Sequence, residues 1–490
     1  MLFTEPIFLF FFLPVLLALY LAPDAAGRRA GCRTDTYRSV LLLAASVIFY
    51  ASGGGWFTWV LLASIAFNYG MAIAVDAGHA SGAARRRLAV AVGVNLLVLG
   101  VFKYADFATA NLNAVLAAGG ARSVPLPHVL LPIGISFFTF QAVSYVVDVY
   151  RHDVAVQRNP LHAAVYLLLF PQLIAGPIVR YRDLADQLQR RSVSFDDFAA
   201  GAHRFTIGLA KKLLVANVLA APADRIFAMP PTQWSAALTW LGLVCYTLQI
   251  YFDFSGYSDM AIGLGRLFGF HFLENFRWPY AARSVQDFWR RWHISLSTWF
   301  RDYVYVPLGG NRTGPARVYL NLVVVFTLCG LWHGASWNFV VWGLFHGVFL
   351  AAERVGFARA IGRLWTPARH AYTLAVVMVG WVFFRADTLQ TALLFLRAMA
   401  GLGAADPVPY TAGWFLTPHV IMTIGAGAIL SAPVAPWLSA WRDRLLDDRR
   451  RPAVGWTAAT LAVVGFAALL FASVLQAAAG TYNPFIYFRF

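Results

Sequence analysis

Apolar segments long enough to cross a lipid bilayer recur along the whole chain, and no other feature constrains its fold so strongly. About 20 apolar residues form one helical crossing. In lipid, a segment that does not belong to a closed barrel can hydrogen-bond all its backbone N–H and C=O groups only as a helix. The sequence therefore predicts an all-α polytopic membrane protein. We expect about eleven spanning helices plus re-entrant and interfacial helices, forming one integral membrane domain over residues 1–490. The apolar segments lie near residues 6–22, 38–52, 56–75, 88–105, 129–148, 161–178, 236–254, 256–273, 318–333, 336–352, 371–386, 414–434 and 454–476.

The charge of the chain is concentrated in short basic tracts between these segments. The formal net charge is +16, although only 13% of the residues are charged, against about 25% in soluble domains. Tracts at 28–38, 85–87, 354–369 and 442–451 follow apolar segments, as cytoplasmic loops do under the positive-inside rule. We therefore expect these tracts in the cytoplasm and both termini outside. No separate basic domain is present that could bind nucleic acid.

The sequence offers no pattern typical of metal, nucleotide or serine-acyl chemistry. Cys32, Cys245 and Cys329 are far apart and lack a CxxC spacing, so each is interpreted as a small packing residue. Walker A, GxSxG and HExxH motifs do not occur in the sequence. We expect neither a metal site nor a bound cofactor.

Segment 286–302 differs from the spanning segments. Its tryptophans and phenylalanines recur at helical spacing, and its arginines fall on the opposite side. This pattern predicts one amphipathic helix suited to the membrane interface. His293 lies within its apolar stripe, where an ionisable side chain is unusual.

Two histidines are candidates for catalysis. His293 lies in RRWHISLS, and His333 lies in LWHGASW at the junction of two apolar segments. An ionisable group within a membrane protein is costly and marks a functional site by default. A histidine can take a proton from an attacking hydroxyl and pass it to a leaving thiolate. The alternative is that each ring only bonds a neighbouring helix.

Motifs in the middle of the chain resemble those of the membrane-bound O-acyltransferase (MBOAT) family, and most of all its bacterial branch, the membrane subunits that O-acetylate alginate. They follow the family order and cover most of the core region, 130–350. The motifs are LPIGISFFTF (131–140), FPQLIAGP (170–177), YFDFSGYSDM (251–260), DFWRRWH (287–293), FRDY (300–303), PLGGNR (307–312), GLWHG (330–334) and WGLFHG (342–347).

The resemblance implies a helical fold around a central tunnel, with His333 as the catalytic residue and His293 as the second polar residue of the site. Trp332, Trp289 and Asp253 are candidates for the tunnel lining. For Asp253, hydrogen bonding to nearby serines or to a distant arginine is an equal alternative.

The activity implied is acetyl transfer from a cytoplasmic donor, acetyl-CoA, across the bacterial inner membrane for O-acetylation of an exopolysaccharide such as alginate. A periplasmic acetyltransferase and the polysaccharide synthesis machinery would be its partners. Acetylation of peptidoglycan or cellulose is an alternative within the same class. A transporter without enzymatic activity is the rival class, and the absence of internal sequence repeats disfavours it.

The C-terminal aromatic tail, 482–490, has two interpretations. By composition it is an interfacial anchor, with Pro484 ending the last helix and Arg489 near lipid headgroups. The ending also resembles an aromatic motif in a small partner of the D-alanyl-transferring branch of the family, in which a tyrosine is proposed to carry the acyl group. By that resemblance Tyr487 is a candidate acyl relay that would work together with His333.

Overall fold

The computed structural model describes residues 1–25, 32–312, 314–403, 410–447, 452–480, 482 and 484. Every regular element in this part of the chain is helical, so the predicted all-α class is confirmed. The chain folds into two compact units, residues 1–205 with 260–273 and residues 206–259 with 274–490. One integral membrane domain over residues 1–490 stays a prediction.

The first unit contains the N-terminal helices and the Pro/Gly-broken run at 170–177. That run is fully buried. Gln172 Nε2 donates to the Tyr166 carbonyl at 2.7 Å, and the Tyr166 hydroxyl donates to the Val179 carbonyl at 3.1 Å. Irregular backbone is tolerated at membrane depth when it is buried in protein in this way. The helices are a π-helix Phe8–Phe12, α1 Leu13–Ala25, α2 Cys32–Gly54, α3 Phe57–Gly78, α4 Ala84–Ala118, α5 Ile135–Tyr150, α6 Pro160–Leu168, α7 Phe170–Leu173, α8 Tyr181–Gln189 and most of α9 Phe195–Ala210.

The second unit contains both candidate histidines. Its helices before residue 310 are a π-helix Lys211–Ala216, α10 Asn217–Phe227, α11 Ala236–Leu267 (of which 260–267 belongs to the first unit), α12 Val285–Trp289, α13 Ile294–Phe300 and a π-helix Arg301–Tyr305, with 3-10 turns at Pro231–Gln233 and Pro279–Ala281. Its later helices are α14 Pro315–His333, α15 Trp337–Ala352, a π-helix Glu353–Phe357, α16 Ala358–Gly362, α17 Thr366–Arg385, α18 Leu389–Met399, a 3-10 turn Ala412–Trp414, α19 Pro418–Leu430, α20 Val434–Asp447 and α21 Pro452–Ala478.

The number of spanning helices is lower than the predicted count of about eleven, which is not confirmed. Among the described residues, seven helices are long and apolar enough to cross a membrane, or eight if the bent pair Pro418–Leu430 and Val434–Leu446 (71°) is one span. One cause is that the predicted segments 236–254 and 256–273 begin and end within or beside a single helix, α11. Gly256 continues that helix and allows a close approach, because a Cβ on it would lie 2.8 Å from the Gly208 carbonyl oxygen.

One spanning helix, Phe195–Phe227, was not predicted. Arg204, Lys211 and Lys212 interrupt its apolar pattern, which a search for uncharged segments rejects. Of these three charged side chains, that of Lys212 is buried within the protein, with only 3% exposure.

Helices α14 and α15 pack closely through glycines. A Cβ on Gly330 would collide with the Phe339 carbonyl oxygen, and a Cβ on Gly343 would collide with that of Phe326. Small residues allow helix backbones to approach in this way within membranes. The two helices therefore form a tight hairpin whose turn follows His333 directly.

Segment 286–302 is not one helix, so that prediction is wrong. Helix α12 ends at Trp289, and α13 begins only at Ile294. Trp292, between the two helices, and Trp299, within α13, are buried inside the protein, not spread on an interface. The break lies at His293, whose φ is +45°.

Candidate active site

His333 is the last residue of the spanning helix α14. The chain turns directly after it, as Gly334 adopts an extended conformation and its N–H donates to the Gly330 carbonyl at 3.3 Å. The side chain is buried, with 5% exposure. Three aromatic rings surround its imidazole edge-on at centroid distances of 4.8, 5.1 and 5.1 Å, those of Trp332, Trp342 and Phe384. The imidazole is therefore enclosed by aromatic groups at the end of a spanning helix.

His293 lies close to Trp332, whose ring also contacts that of His333. The ring centroids of His293 and Trp332 are 6.2 Å apart, and Phe254 of α11 packs edge-on against His293 at 4.6 Å. The structure thus brings His293, Trp332 and His333 into one cluster.

Asn275 fixes the position of His293 and was not predicted as a site residue. Its backbone carbonyl accepts from Ile294 N at 2.9 Å, and its side-chain Oδ1 accepts from Ser295 N at 3.2 Å. Its Nδ2 donates to Ser258 Oγ of α11 at 3.1 Å. These bonds hold the left-handed backbone at His293, which a non-glycine residue seldom adopts without such support.

The same contacts determine which ring nitrogen of His293 carries the proton. A backbone N–H can only donate, so the Asn275 atom facing Ser295 N is the oxygen. His293 Nδ1 lies 3.2 Å from that oxygen and must donate to it, which leaves Nε2 as the bare nitrogen. Burial lowers the pKa of His293 to about 3, so the ring is uncharged at neutral pH.

His346 of α15 is a third buried histidine, and it extends the cluster. Its ring lies 5.2 Å from that of Trp342, which contacts His333. The indole Nε1 of Trp289 donates to His346 Nδ1 at 3.4 Å. Trp289, a predicted lining residue, thereby orients His346 from α12.

Three buried polar atoms in this cluster have no hydrogen-bond partner among the described residues: His293 Nε2, His346 Nε2 and Trp342 Nε1. Buried polar groups are nearly always bonded in native proteins, and an orphaned one calls for an explanation. A bound substrate with hydroxyl and carbonyl oxygens would supply partners for such atoms. In the same described part of the chain, no three His, Cys, Asp or Glu side chains are grouped so as to hold a metal ion.

Asp253, the third candidate for the tunnel lining, forms a buried ion pair. Its Oδ1 lies 2.7 Å from Lys212 Nζ, with side-chain exposures of 1% and 4%. Its chain neighbour Phe254 is the residue that packs on His293. The ion-pair partner of Asp253 is thus a lysine from the spanning helix Phe195–Phe227, which the sequence did not predict.

The buried pair leads to a prediction about stability. Replacing Lys212 with Met leaves the Asp253 carboxylate buried without its ammonium, which costs about 3–5 kcal/mol in comparable sites. We expect the thermal unfolding midpoint of the detergent-purified protein to fall markedly. Lys211→Met is the matched control, since the Lys211–Asp259 pair is 26% exposed at the lysine and should matter less. Equal midpoints for Lys212→Met and the parent would contradict this account of the pair.

Tyr487, the candidate relay, lies outside the described residues. Two earlier residues of the tail are described, and both contact the second unit. Tyr482 donates its hydroxyl to Asp224 Oδ2 at 2.8 Å, and Lys212 Nζ donates to the Pro484 carbonyl. The start of the tail is therefore held by side chains of the spanning segment Phe195–Phe227.

Comparisons with known proteins agree on one family. Residues 155–386 match the family described as MBOAT, membrane-bound O-acyltransferase family. The chain is 41% identical over 514 residues to the "Probable alginate O-acetylase AlgI" of Azotobacter vinelandii and 42% identical over 514 residues to that of Pseudomonas putida, covering 100% of each chain. It is 36% identical over 436 residues to the "Peptidoglycan O-acetyltransferase" of Helicobacter pylori, covering 83% of this chain and 81% of the relative.

Proposed function

The chain belongs to the membrane-bound O-acyltransferase family, and we propose that it passes acetyl from a cytoplasmic thioester, acetyl-CoA, across the bacterial inner membrane for O-acetylation of an exopolysaccharide such as alginate. It is a multi-pass membrane O-acyltransferase and therefore an enzyme, not a transporter without enzymatic activity. The observation that carries the proposal is His333, a buried imidazole at the end of a spanning helix, enclosed by aromatic rings and joined through Trp332 to a second histidine. Similarity over the full chain to two proteins named "Probable alginate O-acetylase AlgI" supports alginate as the acceptor polymer.

The proposed chemistry needs one general base and a site from which water is excluded. His333 takes the proton of the attacking hydroxyl as its oxygen bonds to the thioester carbonyl carbon. The carbon–sulfur bond then breaks, and the thiolate receives the proton from the imidazolium. The carbonyl end of α14 favours the transient positive charge on His333. The surrounding rings exclude water, which limits hydrolysis of the thioester.

His293 has a different proposed role. Its bare Nε2 and fixed, uncharged ring suit it to accept a hydrogen bond from a donor group of a substrate other than the attacking hydroxyl, whose single proton goes to His333. It would position that substrate without taking up a proton, since its pKa is lowered to about 3 by burial.

We propose Tyr487 as the first acceptor of the acetyl group, with transfer from its phenolic oxygen to a periplasmic acetyltransferase that serves the polysaccharide machinery. The contacts of Tyr482 and Pro484 support this role, because they hold the start of the tail against the unit that contains His333. A phenyl ester is activated relative to an alkyl ester, so onward transfer to a sugar hydroxyl is favourable.

Expression in an alginate-producing bacterium that lacks its own membrane O-acetylase tests the function. We expect the chain to restore acetyl esters on secreted alginate, measured by proton NMR after normalising for protein abundance. Muropeptide analysis of the same cells tests the alternative acceptor named by the Helicobacter pylori relative. Acetylated peptidoglycan with unmodified alginate would replace the proposed acceptor, and the absence of both esters from a well-expressed chain would contradict the proposal.

A further inference from the structure

An apolar groove lies between helices α20 and α21 in the second unit. Its volume is about 640 Å³, within the range of about 300–1,000 Å³ that is usual for ligand sites. Each helix contributes one face to it, because the lining residues of each helix recur at helical spacing. The lining includes Leu438, Trp441 and Leu445 of α20 and Val454, Ala458 and Leu461 of α21.

The two helices approach closely at one end of the groove and diverge toward the other. A Cβ on Gly455 would lie 3.0 Å from the Leu445 carbonyl oxygen, so the backbones nearly touch close to the connection between the helices. Farther from that connection, Leu438 and Leu461 line the groove and are 47% and 66% exposed. The hairpin therefore leaves a wedge of apolar surface that side chains of the described residues do not fill.

The groove lies where a helix at the membrane surface meets a spanning helix. Residues Ala453–Ala478 of α21 form a candidate span, and α20 is bent by 71° from α19. Trp437, Trp441 and Trp456 on α20 and α21 are exposed, and tryptophan is enriched where a membrane meets water. The arginines at 449–451 follow α20 directly and belong to a tract expected in the cytoplasm. We therefore expect the groove at the headgroup level of the leaflet on that side.

Arg442 is the single charged side chain in the described lining of the groove. It follows Leu438 by four residues and precedes Leu445 by three, so all three side chains share one helix face. Its Nη2 pairs with Asp443 Oδ1 at 2.8 Å, but these side chains are 45% and 56% exposed, and an exposed ion pair is weak. A phosphate group can compete with this carboxylate, because guanidinium binds phosphate oxygens through paired hydrogen bonds.

We infer that the groove binds a membrane phospholipid with an anionic headgroup, whose acyl chain occupies the apolar wedge and whose phosphate pairs with Arg442. An acyl chain complements a lining of leucine, valine and alanine side chains. The charge of the region favours an anionic headgroup, since residues 434–451 contain five arginines and three aspartates. The bound lipid holds α20 against the first half of α21, in which residues 456–464 are not buried by the protein.

Native mass spectrometry of the detergent-purified full-length protein tests this site. Dioleoyl phosphatidylglycerol and dioleoyl phosphatidylcholine have the same acyl chains and are titrated separately, and the dissociation constant of the first bound lipid is measured. We expect phosphatidylglycerol to bind at least about fivefold more tightly, the preference that one arginine near an anionic lipid surface gives. Arg442→Gln should bring the ratio of the two constants close to one.

Arg444→Gln is the matched control for charge. Arg444 is exposed on the same helix, two residues after Arg442, but does not line the groove. The preference for phosphatidylglycerol should therefore persist in this variant.

Thr457→Trp and Thr460→Trp form a matched pair for the groove itself. Both hydroxyls donate to the carbonyl four residues earlier, at 2.8 and 2.9 Å, and both residues are exposed. Thr457 lines the groove and Thr460 does not. An indole at position 457 fills the wedge, so the affinity for both lipids should fall at least about tenfold, the cost of losing about two buried methylene groups. Thr460→Trp should bind both lipids like the parent.

Four outcomes would overturn the inference. Equal affinities of the parent for the two lipids would show that the headgroup charge is not recognised. An equal loss of the preference in Arg442→Gln and Arg444→Gln would assign it to the overall charge of α20. Unchanged lipid binding in Thr457→Trp would place the lipid elsewhere. A dimer of the parent that dissociates in Thr457→Trp would assign the groove to a second copy of the chain.

Discussion

His333→Ala should reduce acetyl transfer at least about 10²-fold while the protein still inserts and accumulates normally. General acid–base catalysis contributes about 10²–10⁴-fold, and the proposed reaction has no other group so placed to take the proton of the attacking hydroxyl. The ring is enclosed by Trp332, Trp342 and Phe384. Polymer acetylation per unit of membrane protein is the measurement.

His419→Ala is the control for this experiment. His419 is exposed on α19 in the same unit, so its loss tests the effect of removing any histidine from the protein. Near-parental acetylation in His333→Ala, or an equal loss in both variants, would remove His333 from the catalytic role.

Tyr487→Phe should abolish polymer acetylation while the chain remains stably inserted. The change keeps the aromatic ring, which an interfacial anchor needs, and removes the oxygen that would carry the acetyl group. In the proposed relay the phenol attacks the thioester, His333 accepts its proton, and the thiolate leaves with that proton. The resulting ester then passes the acetyl group to a sugar hydroxyl and regenerates the phenol.

Tyr482→Phe is the matched control for the relay, since it removes a hydroxyl from the same tail. That hydroxyl donates to Asp224, which keeps its 2.6 Å pair with Arg385, so we expect most activity to remain. Full acetylation in Tyr487→Phe would leave the tail as an anchor. A hydroxylamine-labile acetyl group on Tyr487, detected by mass spectrometry in the parent, would support the relay directly.

The sequence indicates the parts of the site that depend on local pattern. His333 could be singled out because it lies between two apolar segments, and α14 and α15 form where the hydropathy predicts them. The all-α class also follows from local pattern. Lipid offers no hydrogen bonds to backbone N–H and C=O groups, and a helix is the simplest structure that satisfies them all within one segment.

What the sequence does not reveal depends on contacts between distant residues. The pattern of 286–302 predicts one helix, but hydrogen bonds from Asn275, 18 residues before His293, hold a break there. Lys212 looks unsuited to a membrane helix until its partner Asp253 is known. Local hydropathy indicates neither the hydrogen bonds of Asn275 nor the ion pair of Lys212. The sequence therefore predicts neither the spanning helix Phe195–Phe227 nor the role of Asn275 in orienting His293.

The most direct test of the central claim uses proteoliposomes in which the protein has one orientation. Acetyl-labelled coenzyme A is added to the face that carries the basic tracts, and labelled acetyl esters are measured on a trapped oligosaccharide and on the protein itself. The account predicts that label crosses to the opposite face in the parent and that His333→Ala reduces this at least about 10²-fold. Esters formed only on the donor face, or equal crossing in the parent and His333→Ala, would contradict it.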